Sequence, residues 1–296
     1  MRVEFFLSVF LLVLAACQAN DKPPAAAPAT VQVRDDLGRS LTLPAHPRRV
    51  LALAPSMTEM LYAVADTSTI IARTQADDYP AAVLRKPIVN SYPLDLERLV
   101  MLRPEVVFTI EGMTPLDAAE RLRELGIPVY YQKYRRVADV LQGLNDLGRL
   151  LGRPTQARRL TDSLQRQLHA LETCPVSAAR PTVLALASAD PIYAYGQNTL
   201  FTDEIKLAGG QNAVRDTFAQ PYPALTREYV LKLNPGVVLG GRFGKLDSTL
   251  FKNNPELRRT QAYRQRQVYA VPAGLLARPS PRVVETVQLL RALLAQ

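Results

Sequence analysis

Leu96-Glu97-Arg98-Leu99-Val100-Met101-Leu102-Arg103-Pro104-Glu105-Val106-Val107-Phe108 and Arg227-Glu228-Tyr229-Val230-Leu231-Lys232-Leu233-Asn234-Pro235-Gly236-Val237-Val238-Leu239 share one pattern at a shift of 131 residues. Each predicts a short helix with an acidic residue in its first turn, a proline stop and a buried strand. Further out, Val50-Leu51-Ala52-Leu53-Ala54 recurs as Val183-Leu184-Ala185-Leu186-Ala187 at a shift of 133. Continuous apolar runs of this kind suit parallel strands covered on both faces. The order strand, helix, strand, helix, strand is therefore written twice. The fold class expected is α/β, with two Rossmann-like lobes built on mostly parallel sheets.

The lobes are assigned to residues 31–137 and 180–296, with a helical segment at 138–179 between them. Val137 to Leu151 reads as one helix, Gly152-Arg153-Pro154 as a break, and a second helix runs from about Thr155 to Thr173. At 1.5 Å per residue that second helix is a rod of roughly 28 Å, long enough to join two lobes. Leu160, Leu164, Leu168 and Leu171 recur along one face of it, which predicts core packing and a rigid joint. Ser56-Met57-Thr58-Glu59, directly after a strand, reads as a capping box. Thr109-Ile110-Glu111-Gly112 and Gly240-Gly241-Arg242-Phe243-Gly244 follow the repeated strands, so both lobes aim glycine-bearing loops at one edge and a ligand cleft between lobes is expected. The glycine spacing is wrong for a dinucleotide fingerprint, and no Gly-Lys-Ser/Thr of the Walker type occurs.

A chain of 296 residues, 48% hydrophobic and 21% charged, has the composition of ordinary folded domains rather than a disordered or fibrous protein. Two cysteines cannot build a disulfide scaffold, and two histidines leave little for a metal site. Of the net charge of +9, the second lobe carries +7, from 15 basic and 8 acidic residues. A nucleic-acid surface calls for a dense basic stripe with interleaved aromatics, whereas only Arg258, Arg259, Arg264 and Arg266 cluster, so no nucleic-acid partner is expected. They read as a solvated basic face or an attraction for an anion.

The N-terminus reads as an address. Arg2 precedes an apolar run from Phe5 to Ala16, too short to span a bilayer and of signal-peptide length, which assigns residues 1–16 to a signal peptide. Leu14-Ala15-Ala16-Cys17 looks like a bacterial lipobox, with Cys17 lipidated as the mature terminus and residues 17–30 a Pro/Ala tether. Cys174 is then left without a partner in the chain.

The lipobox, the duplicated lobe, the linking helix and the strings Ala54-Pro55-Ser56-Met57-Thr58-Glu59 and Asp78-Tyr79-Pro80 together resemble the substrate-binding proteins of ABC importers for metal chelates, nearest to the cobalamin-binding branch. The resemblance covers roughly residues 48 to 296 and implies a corrinoid, haem or ferric siderophore as the transported small molecule. It also implies two lobes that move little, with an exposed glutamate on each docking on arginines of a membrane permease and its ATPase complex. Glu97 and Glu228 stand at the matching points, and the repeat pairs them independently. As equivalent carboxylates on rigidly joined lobes they would fix orientation through charge-assisted bonds.

Aromatic groups suit a flat chelate, which makes Tyr79, Tyr92 and Tyr222 candidates for the cleft, with Ser56 at its edge and Tyr193 and Tyr195, just before the Gly196-Gln197-Asn198-Thr199 turn, as weaker choices. The resemblance places tryptophan near Tyr92 and Tyr222 in the cobalamin branch. A phenol there offers less stacking area and adds a hydroxyl able to bond or to ligate iron. Arg73, Arg242 and Arg278 fall near strand ends, where they would neutralise a siderophore, a propionate or a corrinoid phosphate. No resident cofactor, metal site or catalytic residue is expected, and a monomer is. The enzyme alternative rests on carboxylate pairs, Asp77 with Asp78 or Glu59 with Glu111, as acid and base. An anchored surface sensor would use the same cleft.

Overall fold

In the computed structural model, which describes residues 29–173, 180–241, 246–272, 274–276 and 278–296, a hairpin of β1 (Thr30–Arg34) and β2 (Ser40–Pro44) precedes the first lobe. That lobe runs β3 (Val50–Ala52), α1 (Pro55–Val64), β4 (Arg73–Thr74), β5 (Ile88–Val89), α2 (Leu96–Leu102), β6 (Val106–Ile110), α3 (Leu116–Glu124) and β7 (Val129–Gln132). Helices α4 (Val137–Leu150) and α5 (Pro154–Thr173) follow. The second lobe runs β8 (Thr182–Ala189), β9 (Ile192–Ala194), α6 (Leu200–Leu207), β10 (Gln211–Asn212), α7 (Arg227–Leu233), β11 (Val237–Gly241), α8 (Leu246–Asn253), α9 (Gln261–Arg264), β12 (Val268–Val271) and α10 (Val283–Leu294). Cys17, Cys174 and Arg242 lie outside the described residues.

The first sheet has the parallel order β3-β6-β7, with the parallel pair β4 and β5 beyond a bridge from Val50 to Ile70. The second has the parallel order β10-β8-β11-β12, with β9 antiparallel on β8. The register is duplicated too. Val50 lies opposite Val106, as Val183 lies opposite Val237. Residues of β3 and β7 are buried throughout, as strands covered by helices on both faces require.

The repeated helices close at both ends in the same way. Asp95 accepts from the Arg98 N–H and Thr226 from the Tyr229 N–H, each satisfying an orphan donor of the first turn. At the other end Arg103 (φ 46°) and Asn234 (φ 42°) take the left-handed conformation immediately before Pro104 and Pro235. Their N–H groups bond back to the carbonyls of Leu99 and Val230. The proline is thus the residue after the stop, and the left-handed turn is the stop itself.

The capping box expected at Ser56 to Glu59 does not form. Pro55 opens α1 with its φ already suited to a helix, and no side chain caps the end. The Thr58 hydroxyl donates instead to Asp77 (2.8 Å), and Glu59 reaches arginines of the other lobe, which bind a carboxylate more strongly than a backbone amide does.

One core cluster runs through both lobes. It includes Met57 and Phe108 of the first, Leu144 and Leu147 of α4, Ala157, Leu164 and Leu168 of α5, and Val183, Phe201 and Leu290 of the second. Leu160 and Leu171 pack against it half-buried. Helices α4 and α5 meet so closely at Gly148 that a Cβ there would lie 2.2 Å from that of Ala157. With each buried leucine stabilising by about 2 kcal/mol, the lobes cannot part without exposing their shared core.

Candidate ligand cleft

Parallel strands bring their C-terminal ends, and the loops that follow them, to one edge of each lobe. Two seams form where those edges meet. At the first, Glu59 projects from α1 with its side chain 1% exposed and accepts from Arg282 Nε (2.8 Å), Arg282 Nη2 (2.7 Å) and Arg278 Nη1 (2.9 Å). Arg278 also donates to Asp78 (3.1 Å), and the Arg282 guanidinium lies 4.3 Å from the centre of the Tyr79 ring. Two cations and two carboxylates therefore balance across the lobes.

At the second seam the hairpin end at Tyr195 and the bend at Tyr222 are tied by the Gly196 N–H bonding to the Pro221 carbonyl (2.9 Å). The Tyr195 ring meets Tyr222 edge-on at 5.4 Å and leans on Phe201 at 5.6 Å. Burial pushes both phenols up in pKa, and the charge of Arg135 draws Tyr222 partly back. Both are neutral near pH 7, equipped for face contact and for donating a hydrogen bond. Arg135, at the end of β7, pairs with Glu111, and Lys133 approaches the same carboxylate at 3.7 Å. Between Arg135 and the second lobe's Gly196 to Asn198 and Thr217 to Pro221 lies a cavity of about 150 Å³. The Val137 N–H donates to Asp203 (2.8 Å) and closes this seam behind it.

The sequence candidates separate accordingly. Tyr79 and Arg278 sit at the first seam, Tyr195 and Tyr222 at the second. Tyr92 stands 90% exposed on the loop after β5, with no ring partner among the described residues. Ser56 is buried in the first turn of α1. Arg73 donates to the Thr74 carbonyl (3.1 Å), while its buried Nε has no hydrogen-bond partner among the described residues. Asp77 accepts from Thr58 Oγ1, the Thr74 N–H and Thr74 Oγ1, so its oxygens are occupied, and burial raises its pKa despite those bonds. Arg135 and Arg282 were not singled out from sequence. Arg135 follows a buried strand, a signal that would have found it; Arg282 precedes a helix and carries no such mark. Among the described residues no group of three or more His, Cys, Asp or Glu could hold a metal ion.

Glu97 and Glu228 are both exposed and both occupy the second position past an N-cap. Bonds from its own backbone N–H and from Thr226 hold the Glu228 carboxyl below the usual range. Beside Glu97, Val100 and Met101 are exposed apolar side chains on the same helix.

The model of the family described as periplasmic binding protein matches residues 50–275. The vitamin B12-binding protein of Vibrio parahaemolyticus serotype O3:K6 is 26% identical over 251 residues, 84% of this chain and 90% of that one. In fold the chain is similar to the periplasmic vitamin B12 binding protein BtuF of Vibrio cholerae, with TM-score 0.74 and 24% identity over 84% of this chain and 97% of that one. It is equally similar to the periplasmic heme-binding protein RhuT from Roseiflexus sp. RS-1, with TM-score 0.74 and 24% identity over 84% and 98%.

Proposed function

This chain belongs to the periplasmic binding protein family, and from that premise we propose that it is the lipid-anchored substrate-binding protein of an ABC importer, which captures a corrinoid and delivers it to a membrane permease. Membership of the family carries an extracytoplasmic location and a binding role in place of a catalytic one. The anchor is read from Leu14-Ala15-Ala16-Cys17 and the tether that follows. One observation carries the ligand reading: the edge-on pair Tyr195 and Tyr222 stands where the charge of Arg135, from the other lobe, acts on Tyr222. Two neutral phenols suit the broad, partly apolar face of a corrinoid, and the nearby guanidinium of Arg135 suits its phosphate. The name of the Vibrio parahaemolyticus relative supports the same choice.

A ferric siderophore or haem is the second reading. The observation favouring it is cationic: Arg73 keeps a buried Nε without an acceptor, and Arg135 and Lys133 share a single carboxylate. Thermal unfolding of the chain from Gln18 onward, with cyanocobalamin, cobinamide, hemin and a panel of ferric siderophores, separates the two. A saturating rise in Tm with the corrinoids alone is expected, because a compound bound only by the folded state stabilises it by mass action. A rise with hemin or a siderophore alone moves the assignment, and no rise with any of them rejects the chelate reading.

Glu97 and Glu228 are proposed as the permease contacts, one on each lobe, held at fixed separation by the shared core. Glu97→Lys with Glu228→Lys is expected to abolish transport and leave ligand affinity unchanged; lost affinity would move these residues into the cleft. The protein is expected to act as a monomer without a resident cofactor, and import is powered by the ATPase of its partner.

A further inference from the structure

The short turn Pro255–Arg259, helix α9 and the entry to β12 carry the exposed Arg258, Arg259, Arg264 and Arg266, and three of them, Arg258, Arg264 and Arg266, share one face of the second lobe. Among the described residues none of these four guanidiniums has a carboxylate or hydrogen-bond partner, in contrast to Arg227 with Glu256, or Arg278 and Arg282 with Glu59. The single contact is Arg258 over the Tyr263 ring at 5.9 Å. Arg258, Arg264, Arg266, Tyr263 and Val268 line a concavity of about 660 Å³. Arg266 also sits at φ 59°, a left-handed conformation uncommon for a residue with a side chain, held by its N–H on the Tyr263 carbonyl (3.1 Å) and by the Gln267 N–H on the Ala262 carbonyl (2.8 Å). Arg264 and Arg266 stand at the start of β12, the opposite end of that strand from the loop leading to the ligand edge.

Like charges on Arg258, Arg264 and Arg266 line one concavity and repel one another, and without an internal counter-ion among the described residues an external anion relieves the repulsion. The guanidiniums rim an open concavity and are exposed to solvent, with none of them buried around an enclosed pocket. Such an arrangement suits many phosphates presented on a surface better than one enclosed phosphate. We infer that this arginine face, which Tyr263 also lines, binds the phosphate headgroups of an anionic phospholipid bilayer. The family's extracytoplasmic location puts bilayer surfaces, and not nucleic acid, within reach, and the contact is independent of what occupies the cleft.

The test is co-sedimentation of residues 18–296 with vesicles of phosphatidylglycerol mixed into phosphatidylcholine, against phosphatidylcholine alone, at low and high salt. Residues 18–296 contain every element described and lack Cys17, so no acyl anchor confuses the result. Binding is expected to the anionic vesicles only and to fall with salt. R258Q/R264Q/R266N is expected to weaken it about a hundredfold, or about fivefold per arginine, with unchanged Tm. R258K/R264K/R266K is expected to keep it, which tests the face even if the neutral variant is unstable. R158Q/R159Q/R166Q removes the same charge from exposed positions on α5 and is expected to change little. Equal loss in that control would reduce the effect to net charge and overturn the proposal. So would indifference to phosphatidylglycerol, tighter binding of duplex DNA at the same salt, or saturable displacement by inorganic phosphate that the lysine variant abolishes.

Discussion

Helices α2 and α7 are near copies, whereas the segments that follow β3 and β8 are not. The copies share an N-cap, a glutamate one step beyond the first helical residue, a left-handed stop and the register of the next strand. After β3, by contrast, the chain turns directly into α1 and buries Glu59 against the other lobe. After β8 it makes the hairpin to β9 first and presents Tyr195 at the end of it. The difference separates two tasks. The repeated parts hold the frame and present matched carboxylates; the parts that diverged build the seams, one closed by charge and one lined by aromatic rings.

The largest effect should come from the charged seam. Glu59→Leu leaves Arg278 and Arg282 without their shared carboxylate in a buried site and is expected to lower unfolding free energy by about 3 kcal/mol in urea titration. A loss near zero would mean that the seam carries no weight in joining the lobes. Glu97→Gln, on the exposed copy of the repeat, should be near neutral in the same assay.

The aromatic seam should answer to pH and not to salt. Burial raises the Tyr195 phenol above its ordinary 10, so the stability it contributes is complete below pH 10 and is lost as pH rises toward the folded-state value. Tyr195→Phe should therefore flatten the alkaline fall in Tm, by about 1 kcal/mol at pH 11, and change nothing in the pH dependence below pH 9. A fall of the same steepness in the variant would place the sensitive group elsewhere.

If the repeated helices are equivalent, their caps should be too. Asp95→Ala and Thr226→Ala are each expected to cost about 1 kcal/mol in thermal or chemical unfolding. A large inequality would show that one helix relies on its lobe and not on its cap. The smallest effect concerns the stops. Arg103→Gly should stabilise by up to about 1 kcal/mol, since arginine is strained at φ 46°. Asn234→Gly should gain nothing, because asparagine tolerates that conformation and its Oδ1 accepts from the Gln261 N–H (2.8 Å). Equal gains would break the distinction.

The parts legible in the sequence are those governed by neighbours along the chain. The apolar runs of β3 and β8, the leucine face of α5, the acid of each first turn and the duplication itself depend on periodicity and on a few adjacent residues. The same locality explains the error at α1. Ser56 to Glu59 satisfies the capping pattern locally, yet Glu59 finds its partners 219 and 223 residues away. Arg282 carried no sequence signal because nothing near it in the chain marks it as a counter-ion. Tyr195 and Tyr222 could be named as aromatic candidates, but their edge-on meeting, and the charge of Arg135 acting on Tyr222, exist only once the hairpin and the second lobe are in place.

The sequence by itself therefore determined two α/β lobes, the helix that joins them and a matched glutamate on each, because local hydrogen bonding and side-chain periodicity repeat wherever the pattern repeats. Tertiary structure alone decided which charges are spent in closing the seam and which, as at Arg258 to Arg266, are left facing outward. The reason is that pairing depends on distance through space, and residues more than 200 positions apart have no fixed distance until the shared core has packed.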